Sequence, residues 1–309
     1  MKTGQINSNT KTKKSISFKR NYLNMLYMLP VTLGIVCFTL IPMISSLVYS
    51  LCDYVPADRL NPISNFGFQN YKLIFTQDFQ SVLNSFYVTF RFTIVAGGLT
   101  FVGSYLVALC LNQKMKGIGV FRIIYYIPSL VPAVAGSLLW NNITAGNGFF
   151  NQILVGLGLD AYPFYSENET IFPTLCMLTV FGLGGNSVMW LAQMKNIPND
   201  LYEAASLDGA NAFKKFLHIT LPMTTPMIFY LMIMSIITSL QSFSYYPIYT
   251  LQGSPSELNF IVIKIYTEFM TLKNYSYACA LSWVLFFVIG LLTLTIFKKS
   301  KWVYYGEDA

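Results

Sequence analysis

Along the 309-residue chain, long runs without a charged residue alternate with short charged segments. Six uncharged stretches are long enough for the roughly 20 apolar residues that carry a helix across a bilayer. They lie within 22–52, 92–113, 123–159, 170–194, 219–256 and 274–297. Asn141, Asn142, Asn147 and Gly148 interrupt the third, while Pro247, Gly253 and Pro255 interrupt the fifth, so each of these is read as one crossing plus an apolar loop. The pattern predicts an all-α integral membrane protein with six transmembrane helices. It comprises a basic tail at 1–21, a membrane domain at 22–297 that includes a charged loop at 197–222, and a second tail at 298–309.

Composition agrees with that reading. The chain is 54% hydrophobic with a mean hydropathy of +0.50, and only 11% of its residues are charged, against about a quarter in soluble domains. Lys and Arg are placed unevenly: six between Lys2 and Arg20, then Lys114, Lys116 and Arg122, then Lys195, Lys214 and Lys215, then Lys298, Lys299 and Lys301. The alternate loops hold Arg59, Lys72, Lys264 and Lys273. By the positive-inside rule, both termini and the 197–222 loop are cytoplasmic. The net charge of +7 then reports topology, and nucleic acid is not expected as a partner. The first apolar run is too long for a signal peptide and lacks a small-residue cleavage site.

Chemistry is sparse. Cys37, Cys52, Cys110, Cys176 and Cys279 show no metal-ligand spacing and read as apolar packing residues. The single histidine, His218, has no second ligand nearby in sequence, so neither metal binding nor catalysis is expected. No Gly-x-x-x-x-Gly-Lys-Ser/Thr phosphate loop is present, so energy from ATP must come through a partner.

The loop at 197–222 reads IPNDLYEAASLDGANAFKKFLHITLP. Pro198 ends the preceding apolar segment, and Asp200 with Glu203 has the spacing of a capping box. Ala204, Ala205 and Leu207 continue a short helix, Gly209 supplies a left-handed stop, and 213–219 forms a second short helix ended by Leu221-Pro222. Two short helices joined at a glycine make a compact knob. The run Glu203, Ala204, Ala205, Asp208, Gly209, Ala210, followed by Ile219, Leu221 and Pro222, resembles the EAA motif of ABC importer permeases of bacteria, in the sugar-permease branch. That resemblance implies a type I importer fold, with the EAA loop seated as a coupling helix in a cytoplasmic ATPase. It also implies a sister permease, making a heterodimer, two ABC ATPase subunits that bind ATP and Mg, an extracellular solute-binding protein, and a multi-pass place in the bacterial plasma membrane. No cofactor belongs to this chain itself, and it is expected to be a transport subunit and not an enzyme. The tail at 302–307 lacks the Gly-Ala-Val-Lys-Gly ending common in one half of such pairs, which implies that this chain is the other half.

Flanking stretches extend the likeness. Asn65 to Tyr71 resembles the family's Phe-x-Gly-x-x-Asn-Tyr, 127–132 (IPSLVP) its proline-flanked turn, and 250–255 (TLQGSP) its Thr-x-Gly-Gly-Pro turn with Ser254 for one glycine. In the first crossing, Pro30 and Pro42 predict kinks. In the second, Ala96, Thr100, Ser104 and Ala108 form a small-residue packing stripe, and Arg91 is expected to snorkel to the headgroups. Trp140 is expected at the outer interface. Gly182, Gly184 and Gly185 with Asn186 in the fourth crossing serve either close helix packing or backbone approach to a ligand. In the fifth, Ser235, Thr238, Ser239, Ser242 and Tyr246 recur at spacings of three and four, which places hydroxyls on one face. Such a stripe serves either interhelical hydrogen bonds or a wet, uncharged pathway for a polyhydroxylated solute. The resemblance places the sugar among these helices, with Ser129, Gly182, Gly185, Ser235, Ser239 and Ser242 as its contacts. The alternatives are an ABC permease for a polyol phosphate or amino acid, or an ion-coupled secondary transporter. The latter would ordinarily carry Asp, Glu or His within its crossings, and the six crossings contain none that could couple an ion.

Overall fold

The computed structural model describes residues 27–56, 63–113 and 115–303. The tail expected at 1–21 lies outside the described residues. Apart from a two-residue antiparallel pair, β1 (Asp53–Tyr54) with β2 (Ile63–Ser64), the regular structure is helical. The chain divides into two compact units, Met1–Tyr71 with Tyr275–Ala280 and Lys72–Asn274 with Leu281–Ala309.

In the first unit, α1 (Tyr27–Ser50) is one long apolar helix. The expected proline kinks do not break it. Its turn opens to a π-helix at Val36–Leu40, and the Ile41 amide bonds back to the Val36 carbonyl. That wider turn lies directly before Pro42, whose ring would otherwise press on the carbonyl four residues back. The end of α1 is tied by the Asn-Tyr pair singled out in the sequence. The Asn70 amide donates to the carbonyls of Ser50 and Cys52 at 3.2 and 3.1 Å, groups a helix terminus leaves without partners. The Tyr71 and Ser50 hydroxyls meet at 2.9 Å.

The second unit is built on α3 (Phe79–Leu111), preceded by the short α2 (Gln69–Phe75). At 33 residues, α3 spans about 50 Å at 1.5 Å per residue, so it begins well before the stretch expected at 92–113. In its first half Ser85 and Thr89 satisfy their hydroxyls by donating to carbonyls one turn back. Thr89 also accepts the Ile261 amide at 2.9 Å. Three of the four residues of the small-residue stripe are buried as expected, Ala96, Ser104 and Ala108, while Thr100 is half-buried. Trp190 donates its indole N–H to Ser104 Oγ at 3.0 Å, and Ser187 Oγ donates to the Ser104 carbonyl at 3.1 Å.

Three helix pairs are bent. The axes of α4 (Ile118–Leu130) and α5 (Ala133–Ile143) turn by 99° at Val131-Pro132; those of α7 (Asn168–Phe181) and α8 (Gly184–Lys195) turn by 44°; those of α10 (Ala212–Met223) and α11 (Thr225–Leu240) turn by 64°. Between them lie α6 (Phe149–Gly156) and α9 (Asn199–Leu207). After α11 come α12 (Tyr246–Leu251), α13 (Ile261–Tyr266) and α14 (Tyr275–Lys298). Among the described residues, α1, α3 and α14 are long and apolar enough to cross a membrane, and the count reaches six if each bent pair is one span.

Two side chains find partners within the fold. Trp140 is 5% exposed and belongs to a core with Phe164, Ile171, Tyr245 and Phe260, so its ring packs against the protein's own side chains. Arg91 has partners that the sequence reading did not name: its guanidinium pairs with Glu257 at 3.1 Å and stacks 3.9 Å over the Phe172 ring. Both partners lie far along the chain, where a local reading cannot see them.

Candidate functional site

Two regions carry the residues singled out in the sequence. The first is the knob. Helix α9 begins at Asn199 after Pro198, and no side chain caps it. The expected capping box is therefore absent. The helix starts two residues early, with Pro198 and not Asp200 in the capping position, leaving Asp200 inside the first turn, where its charge complements the helix dipole but cannot cap. The glycine stop is as expected. Gly209 has φ +73°; its amide bonds to the Ser206 carbonyl at 3.1 Å, and Ala210 to the Ala205 carbonyl at 2.9 Å, the paired bonds of a Schellman motif. Asn211 then caps α10 by accepting the Lys214 amide at 2.9 Å.

The second knob helix differs from expectation by running through Leu221-Pro222. It has a π turn at Phe216–Thr220 and ends at Met223. As before Pro42, the residue preceding proline bonds five back, here Leu221 to Phe216. The two knob helices are joined by Lys215 Nζ to Ser206 Oγ at 2.6 Å and by the Tyr202 and Thr220 hydroxyls at 2.9 Å. Glu203, Ala204, Asp208 and Gly209 are exposed, and Ala205 and Ala210 are half-buried. Leu207 and Phe213 project at 91% and 67% exposure. Burial of such side chains against a partner is favourable by roughly 1.5–3 kcal/mol each.

The second region is a pair of cavities. One, of about 250 Å³, is lined by Ser235, Thr238 and Ser239 of α11, Gly97 and Thr100 of α3, Thr179 of α7 and Asn186 of α8, among apolar neighbours. The other, of about 390 Å³, takes in Ser129, Gly182, Gly185 and Asn186, with Ser137 and Ser244. The expected contacts thus fall into two groups rather than one, and Asn186 lines both. Ser242 lines neither, because α11 ends at Leu240 and the helical face stops there. Tyr246 likewise belongs to the next helix.

The linings are neutral: neither contains Asp, Glu, Lys, Arg or His. The side chains of Asn186, Ser235 and Ser239 make no hydrogen bond to any described residue. An interhelical bond within this chain therefore does not account for the Ser235 and Ser239 stripe. Gly97 keeps the space over it open, since a Cβ there would stand 3.3 Å from Ser239 Oγ. Sequence reading missed Gly97 and Thr100 as lining residues, and it singled out Asn186 with the glycine-rich stretch without naming it a contact. The available signal was one amide, Asn186, in an otherwise apolar stretch.

The glycine-rich break between α7 and α8 has a packing cause at one position. A Cβ on Gly184 would fall 1.8 Å from the Tyr125 carbonyl oxygen, so the backbone of α4 occupies the place of a side chain. Gly185 instead faces Ser129 across ordinary contact distance. Among the described residues, no cluster of His, Cys, Asp and Glu is arranged to hold a metal.

Residues 100–302, which hold the knob, the three bends and nearly all of both linings, match the family model described as "Binding-protein-dependent transport system inner membrane component". The chain belongs to that family. The permease is 34% identical over 301 residues to the probable ABC transporter permease protein YesP of Bacillus subtilis (strain 168), covering 95% of this chain and 96% of that one. It is 29% identical to the arabinooligosaccharides transport system permease protein AraP of the same organism, covering 89% and 87%. In fold it is similar to a chain of a bacterial ABC transporter involved in the import of the acidic polysaccharide alginate, with a TM-score of 0.78, 23% identity, and coverage of 94% and 98%. The permease is therefore a mostly helical inner-membrane component with an ABC importer permease fold.

Proposed function

We propose that the permease forms half of the pathway of an ATP-driven, binding-protein-dependent sugar importer in a bacterial plasma membrane. The observation that carries the solute class is the neutral, unengaged lining: Asn186, Ser235 and Ser239 offer hydrogen-bonding groups with no described partner, and no charge accompanies them. A sugar presents many neutral hydroxyls, and net contributions of about 0.5–1.5 kcal/mol per hydrogen bond allow binding that is weak enough to release. Ser129, Gly182 and Gly185 line the neighbouring cavity, which shares Asn186 with the first, while Ser242 follows the end of α11 and lines neither. An anionic polyol phosphate or amino acid would call for a cation, which neither lining has.

In this reading each bent pair is one crossing, giving six, with both termini and the knob in the cytoplasm. Glu203, Ala204, Ala205, Asp208, Gly209 and Ala210 form the surface that seats in an ATPase, with Leu207 and Phe213 as its apolar anchors. The ATPase pair binds ATP and Mg, a sister permease supplies the other half of the pathway, and an extracellular solute-binding protein delivers the sugar. The test is reconstitution of the four-component complex in vesicles with neutral, anionic and zwitterionic solutes. Uptake of a neutral oligosaccharide that stops when the ATPase is omitted is expected. Uptake that prefers a charged solute would reject the solute class.

A further inference from the structure

The elbow between α10 and α11 is flanked by two prolines, Pro222 and Pro226, and each removes a backbone donor from the helical ladder. Left to itself such an elbow would be soft. Here it is bonded on every side. Thr225 Oγ1 donates to the Pro222 carbonyl at 2.7 Å, the acceptor that the missing Pro226 amide would have served. Gln193 of α8 donates its side-chain amide to the Met223 carbonyl at 3.1 Å. Thr224 is fully buried. Its hydroxyl lies 2.9 and 3.0 Å from the Thr220 and Leu221 carbonyls and 3.1 Å from Tyr105 OH of α3. A hydroxyl has one proton and carbonyls only accept, so Thr224 gives its proton to a carbonyl and Tyr105 donates to Thr224.

The same bonds connect the knob to the cavity walls. Tyr202 of α9 meets Thr220, one turn before Thr224, at 2.9 Å. On the other side, the Tyr105 ring stands edge-on to Trp190 with centroids 4.9 Å apart. Trp190 bonds Ser104, and Ser187 bonds both the Ser104 carbonyl and the Leu183 carbonyl at the α7–α8 break.

We propose that Tyr105 and Gln193 are positioning residues that stiffen the elbow Met223–Thr225, so that displacement of the knob is passed to the cavity walls α11 and α8 instead of being absorbed at the two prolines. This rests on the knob being the ATPase-facing surface. It concerns residues that touch neither the ATPase surface nor the cavity lining.

The experiment uses the complete complex with Tyr105→Phe, Thr224→Val, Thr224→Ser, Gln193→Leu and the Tyr105→Phe/Thr224→Val double variant. Assembly, basal ATP hydrolysis and solute imported per ATP are measured in each. Tyr105→Phe, Thr224→Val and Gln193→Leu should assemble and hydrolyse ATP as wild type does, while solute per ATP falls by about fivefold or more, the low end of ordinary coupling factors. Thr224→Ser should retain coupling, and the double variant should be no worse than either of its single changes. Unchanged solute per ATP in Tyr105→Phe, loss of assembly in step with transport, or additive losses in the double variant would each overturn the proposal. A wild-type complex that fails to couple hydrolysis to uptake would instead overturn the functional reading beneath it.

Discussion

The knob and the α7–α8 break each turn on a glycine, for opposite reasons. Gly209 needs its backbone angle: φ is +73°, and a Cβ there would meet nothing within 4 Å. Gly184 needs its missing side chain: its surroundings are closed by the Tyr125 carbonyl oxygen, 1.8 Å from where a Cβ would stand. The knob therefore tolerates bulk but not the wrong backbone conformation. The break tolerates no bulk at all. This difference matches their surroundings, an exposed surface in one case and an interior packed helix to helix in the other.

The contrast is broken most severely at Gly184. Gly184→Ala forces α4 and α8 apart, an overpacking of about 1–3 kcal/mol or more, and should sharply lower the yield of folded permease and its melting midpoint in detergent. Normal yield and melting would remove the close-approach argument. Next in size is Ser239→Leu, which fills a cavity of about 250 Å³ without touching the knob. Transport should fall about tenfold or more, a change of about 1.4 kcal/mol, with assembly and basal ATP hydrolysis intact. Normal transport would mean that this cavity does not see the solute.

Gly209→Val comes third. The left-handed conformation costs about 1–2 kcal/mol for a residue with a Cβ, and the site is open, so the permease should fold normally while ATPase co-purification weakens. Undiminished co-purification and transport would count against the helix stop. Smallest is Glu257→Gln. The Arg91 pair is partly solvent-exposed, so its loss should cost under about 1 kcal/mol, read as a slight drop in melting midpoint with the Phe172 stacking retained. A large drop would show that the pair holds the segment far more tightly than its exposure suggests.

Local chemistry was legible in the sequence where one short stretch decides it. Gly209 stops α9 because the next few residues complete a Schellman motif, and the stripe on α3 packs because Ala96, Ser104 and Ala108 recur at a helical spacing. Features set by distant partners were not legible. The bond from Ile261 to Thr89 joins residues far apart in the chain, the place of Arg91 depends on Glu257 and Phe172, and the burial of Trp140 depends on a core drawn from later segments. The serine stripe was half legible. Its periodicity is real through Ser239, but nothing in the spacing reveals that the helix ends at Leu240 and drops Ser242 from the face. The capping box failed by two residues of register: Asp200 as the cap would start the helix at Leu201, whereas Pro198 leads it in from Asn199.

The central claim is that this chain moves a neutral sugar under power supplied through the knob. Its most direct measurement is oligosaccharide uptake into vesicles holding the reconstituted complex, with ATP and ion gradients varied independently. The account expects uptake that requires ATP, the ATPase and the binding protein, and that is indifferent to collapse of proton and sodium gradients. Uptake that persists without the ATPase and follows an ion gradient would contradict it.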